Sequence, residues 1–67
     1  MKKGMITRIL PERLFGFIAT PEGTDFFFHL VNAEDGLKKG DRVLFELADF
    51  KGKTVAVDVK RAAQVRP

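Results

Sequence analysis

The chain has no cysteine. That excludes disulfides and thiolate metal sites. It has a single histidine, too little for a zinc or iron cluster. Tryptophan and tyrosine are also missing, so phenylalanine is its only Phe, Tyr or Trp residue. No stretch approaches the roughly 18 consecutive apolar residues that span a membrane. Met1-Lys2-Lys3 looks like the start of a secretory signal, but Thr7 and Arg8 are polar where an apolar run is needed. The expectation is a soluble cytoplasmic protein with no membrane partner.

Signs of catalysis are equally scarce. His29 would need an activated nucleophile and an orienting carboxylate beside it. Thr24 and Asp25 are near in sequence, yet nothing marks either as activated. Gly36 and Gly40 are not followed by the Lys-Ser or Lys-Thr of a phosphate-cradling loop. The reading is a non-enzyme without cofactor or metal. With 67 residues there is room for one domain, 1–67, and a thin core. Twelve basic and nine acidic residues leave a net charge of +3, a mild excess whose meaning depends on where the charges sit.

What the chain does have is phenylalanine, concentrated between Arg13 and Leu30, where five of the seven lie. Two short apolar runs, Leu14–Ala19 and Asp25–Leu30, flank Thr20–Thr24, which holds Pro21 and Gly23. This predicts a strand, a turn and a strand. Met5–Leu10 predicts an earlier strand, rich in β-branched residues and stopped by Pro11. Ile6 and Ile9 cannot both point inward in a regular strand, so a bulge is expected near Thr7-Arg8. Val31–Asp41 reads as a loop with room for one helical turn. Arg42–Ala48 is a fourth strand, with Val43, Phe45 and Leu47 on its apolar face. Asp49–Lys53 is a hairpin turn. Thr54–Val59 is a fifth strand with Val55, Val57 and Val59 inward and Ala56, Asp58 and Lys60 outward. Residues 61–67 read as a frayed tail. Five short strands and no convincing helix predict an all-β, five-stranded antiparallel small barrel, closed so that no edge is exposed.

Alternation places Phe15 and Phe17 on one face of their strand and Gly16 and Ile18 on the other. In the next strand Phe27 and His29 oppose Phe26, Phe28 and Leu30. Alternation alone leaves open which face is the core, and inside is the usual fate of Phe. Two features favour an outward Phe15 and Phe17. Gly16 suits a position crowded by close backbone packing, and Phe26 and Phe28 already supply two rings to a small core. Four rings on a sheet surface call for a flat apolar partner, and nucleic-acid bases are such a partner.

The motifs themselves carry a resemblance. Arg-Leu-Phe-Gly-Phe-Ile at 13–18 and Phe-Phe-Phe-His-Leu at 26–30 resemble the two nucleic-acid-binding motifs of the bacterial cold-shock proteins, approximately Lys-Gly-Phe-Gly-Phe-Ile and Val-Phe-Val-His-Phe. Gly4-Met5-Ile6, Lys39–Phe45 and Ala56–Val59 are similar to that family's opening, fourth-strand and closing segments, so the likeness covers nearly the whole chain. The resemblance implies a five-stranded antiparallel OB-type barrel that binds single-stranded RNA and DNA, often as an RNA chaperone. It carries Phe15, Phe17, Phe27 and His29 over as base-stacking residues. The departures are specific. Arg8 stands where the family places a stacking Trp, Leu14 where it has Gly, and Leu30 where it has Phe, while the central loop is shorter and lacks an aromatic. Fewer stacking platforms imply weaker binding or a shorter footprint.

The function expected is therefore binding of single-stranded nucleic acid by a monomer, as an RNA chaperone or cold-shock-type regulator of gene expression. Arg8 and Arg13, with Lys60, Lys2 and Lys3 as further candidates, would meet phosphates. Two other readings use the same Phe face: a ribosome- or polymerase-associated OB module of the initiation-factor type, and a protein-interaction domain with a hydrophobic hot spot.

Overall fold

The computed structural model describes residues 1–62. The β-branched run around Ile6 belongs to a longer strand, β1, at Lys2–Leu10. Its register against the next strand jumps from Ile6↔Ile18 to Arg8↔Phe17, so Thr7 is an extra residue. This is the bulge expected at Thr7-Arg8. It resets the alternation, so fully buried Ile6 and partly buried Ile9 both reach the core.

Pro11–Arg13 forms a single 3-10 turn, and Leu14 follows in the left-handed region at φ 62. β2 (Phe15–Ala19) and β3 (Asp25–His29) then pair antiparallel. Their connection is closed by the Thr20 hydroxyl, which donates to the Thr24 carbonyl at 3.0 Å and accepts from the Thr24 N–H at 3.2 Å. Leu30–Asn32 is a second 3-10 turn, so β3 ends one residue earlier than the apolar run. β4 (Arg42–Phe50) and β5 (Lys53–Arg61) form a hairpin longer than expected, turning on Lys51 and Gly52 alone. Both turn residues have positive φ, 52° and 81°, as a twisted two-residue hairpin requires.

The strands close in the order β1-β2-β3-β5-β4, with β4 bonded back to β1. The fold is the expected all-β, five-stranded OB-type barrel, with one correction. It is not antiparallel throughout, because β3 and β5 run parallel where Phe28 meets Ala56. A closed ring with an odd number of strands cannot alternate direction all the way round. One neighbouring pair has to be parallel.

The core is Ile6, Ile18, Phe28, Val43, Phe45, Ala56 and Val59. Phe26 packs on its edge, with its ring 5.9 Å from that of Phe45. β5 departs from simple alternation. Asp58 has φ 52, and two residues of β5, Asp58 and Val59, oppose the single Phe45 of β4. This bulge brings Ala56 as well as Val59 to the interior and leaves Val57 only half-buried, correcting the expected inward Val57 and outward Ala56. The expected tail at 61–67 also changes at its first residue. Arg61 closes β5, and its guanidinium donates to the Gly36 carbonyl and the Asp41 carboxylate, each at 3.0 Å. Residues 63–67 lie outside the described residues. No helix among the described residues is long and apolar enough to cross a membrane.

Candidate nucleic-acid interface

Gly16 decides which way the two motif strands face. A Cβ at this position would lie 2.7 Å from the Arg8 carbonyl oxygen and 2.8 Å from the Phe28 ring. Only a residue without a side chain fits over that ring, so Gly16 and Ile18 point inward and Phe15 and Phe17 outward. β3 follows in register, since Gly16 pairs with Phe28 and Phe17 with Phe27.

Cross-strand partners share a face. Two outward rows result. One runs Arg8, Phe17, Phe27 across β1, β2 and β3, and the other runs Leu10, Phe15, His29. Within this patch the Phe15 and Phe27 rings are tilted by 35° with centroids 5.0 Å apart. Phe17 meets Phe15 and Phe27 edge-on at 5.8 Å, and Phe27 meets His29 edge-on at 4.9 Å. These spacings and tilts are those that the ring quadrupoles favour. The rings shield one another, so each is only partly exposed although all lie outside the barrel. They form a continuous apolar surface with polarisable faces, suited to flat, unstacked bases.

Cations are placed unevenly around it. Arg8 is exposed beside Phe17, at the edge of the surface. Arg13 is exposed in the turn that leads into Phe15. Neither makes an ion pair among the described residues, which leaves both guanidinium groups available to phosphate. Lys60 is not brought to the rings. It pairs with Leu44 on β4, which also pairs with Lys3, and it lines a cleft with Glu46 and Asp58. Lys2 and Lys3 likewise lie on the stretch of β1 bonded to β4. The β4–β5 pairing decides that Lys60 faces Leu44 rather than the motif strands β2 and β3, something that counting along the chain could not detect.

One ring was missed. Phe50, read as part of a turn, ends β4 and stands edge-on to His29 at 5.6 Å. A lone aromatic among Asp49, Lys51 and Lys53 was the available signal. Its meeting with His29 joins β4 to β3 across strands that are not bonded to each other. Leu30, at the position where the resemblance puts a Phe, packs against the core instead.

The site contains no grouped His, Cys, Asp or Glu ligands, and no such group of three occurs among the described residues. Among curated proteins none matches this chain. A family model described as the 'Cold-shock' DNA-binding domain matches residues 2–62, a span containing every strand of the barrel and every ring of the outward surface. The match agrees with the barrel order, the Gly16-spaced rings and the paired motif strands, and it places this chain in the cold-shock domain family, a family of non-enzymatic nucleic-acid-binding domains.

Proposed function

We propose that the surface built from Phe15, Phe17, Phe27 and His29 binds single-stranded RNA or DNA by stacking on its bases, with Arg8 and Arg13 meeting phosphates. The observation that supports this best is the outward ring cluster itself, turned to solvent by the Gly16–Phe28 contact and flanked by unpaired Arg8. Stacking tolerates any base, so sequence preference is modest. The chain acts as one domain and as a monomer in the cytoplasm, as an RNA chaperone or a regulator of gene expression. Lys60, on the β4–β5 side, contributes at most to long-range attraction.

The decisive comparison is between single strands and duplex. Rings can stack only on bases that are not already stacked. Labelled single-stranded oligonucleotides are expected to bind more tightly than the same sequence as duplex, and binding is expected to weaken with salt as counterions are released. Equal affinity for both forms would remove the stacking model. A response that ignores salt would favour a protein partner on the same face.

A further inference from the structure

Phe50 is not accounted for by the barrel. It is 48% exposed at the end of β4 and belongs neither to the core nor to the partly buried side chains around it. Its flanking residues Asp49, Lys51 and Lys53 are polar and exposed. Its aromatic neighbour is His29, which is itself edge-on to Phe27. The ring series therefore continues from Phe17 and Phe15 through Phe27 and His29 to Phe50, with every step between 4.9 and 5.8 Å. A cation ends the series. The Lys51 Nζ sits 5.5 Å from the Phe50 ring centroid, within cation–π range. Lys51 occupies the first position of the tight hairpin turn, and it makes no ion pair among the described residues.

We propose that Phe50 and Lys51 form an additional subsite for single-stranded nucleic acid, beyond His29, in which one more base stacks on Phe50 and Lys51 meets the adjoining phosphate. This rests on the stacking reading above and extends it. The chemistry matches what a nucleotide offers, a flat ring for the exposed Phe face and an anion within reach of the ammonium group. The subsite also changes what Arg8 implies. A stacking ring is absent at the β1 end and an extra one is present at the β4–β5 hairpin end, so the footprint is displaced toward the hairpin rather than shortened.

The test uses the full chain with fluorescein-labelled oligothymidines of about three to about nine nucleotides, a range around the footprint of a small OB barrel. Anisotropy is the readout, because the chain has no Trp or Tyr to report binding. Phe50→Ala is expected to weaken binding of the longer oligonucleotides about tenfold and to leave the shortest nearly unchanged. Phe50→Tyr should restore the affinity. Lys51→Asn, which tolerates the left-handed turn, should lower the salt slope by about one. Melting curves of Phe50→Ala should stay close to those of the parent chain, since little apolar surface is lost.

If the parent chain binds single strands and Phe50→Ala binds every length equally well, the subsite is refuted and the inner stacking surface stands. A loss that is the same at every length and tracks a lowered melting temperature would assign Phe50 a structural role instead. If the parent chain binds no single strand at all, the stacking reading fails, and this subsite with it.

Discussion

Phe17 and Phe28 lie on bonded neighbouring strands, one outside the barrel and one fully buried inside it. Their alanine variants should therefore fail in opposite ways. Phe17→Ala is expected to lose roughly 1–3 kcal/mol of single-strand binding, the usual worth of one base stack, with little change in stability. Phe28→Ala leaves a cavity under Gly16 and should destabilise by roughly 3–5 kcal/mol, most of the stability of so small a domain. Thermal melts and oligonucleotide titrations of both variants check this, and equal damage to stability would mean that the faces are inverted. Arg8 poses a different question at the same scale. It stands beside Phe17 and is both planar and charged, so it can stack and meet a phosphate. Arg8→Ala should weaken binding and flatten the salt slope by about one, whereas Arg8→Trp should keep or raise affinity while losing the same slope. Identical affinity and slope in all three proteins would leave Arg8 a solvated arginine.

The way into β2 is strained. Leu14 holds φ 62, and its carbonyl accepts from the Leu30 N–H at 2.9 Å, tying the strand entry to the end of β3. An L-residue in the left-handed region costs roughly 1–2 kcal/mol. Glycine avoids that cost but gives up roughly 0.5–1 kcal/mol through the freedom of its unfolded chain. Leu14 is 58% exposed, so little burial is lost on truncation. The balance favours Leu14→Gly by up to about 1 kcal/mol, and Leu14→Ile should be worse than the parent because branching at Cβ raises the strain. Urea denaturation of the three proteins measures the order. A destabilised Leu14→Gly would show that the leucine side chain contributes more than its exposure suggests. The geometry also explains the glycine that the cold-shock family places here.

Closing the barrel leaves a long connection, Leu30 to Asp41, that has to be fastened to the last strand. Arg61 does this through Gly36 and Asp41, and its backbone N–H donates to Glu34 at 3.1 Å. The Lys38 backbone N–H at 2.9 Å, and then the Arg61 guanidinium, hold the Asp41 carboxyl below its usual value of 3.8. A carboxylate whose pKa is lower in the folded than in the unfolded state stabilises the fold fully above the unfolded value. That contribution is lost as pH falls through the lowered folded value. Asp41→Asn should therefore lower the melting temperature near neutrality and reduce its further fall on acidification below the ordinary carboxylate range. Parallel curves of melting temperature against pH for the two proteins would show that Asp41 does not fasten the loop.

The sequence by itself determined which side chains share a face. The two-residue period of a strand is local, so Phe15 with Phe17, and Phe27 with His29, could be grouped by counting. The three-residue spacing of Ile6 and Ile9 likewise required a bulge at Thr7-Arg8. Gly16 between two rings pointed to the inward side before the Phe28 ring was seen beneath it. Four of the rings were legible on these grounds, and the resemblance to the cold-shock motifs put Arg8 beside them. Counting failed wherever an irregularity or a distant partner intervened. The Asp58 bulge turned Ala56 inward; Asp tolerates positive φ better than most residues, but a lone Asp between two valines does not by itself announce a bulge. The parallel β3–β5 contact, the removal of Lys60 from the ring surface, the anchoring role of Arg61 and the meeting of Phe50 with His29 all depend on which strands become neighbours. That choice belongs to the tertiary structure, because only closing the ring of five strands brings β4 and β5, late in the chain, against β1 and β3.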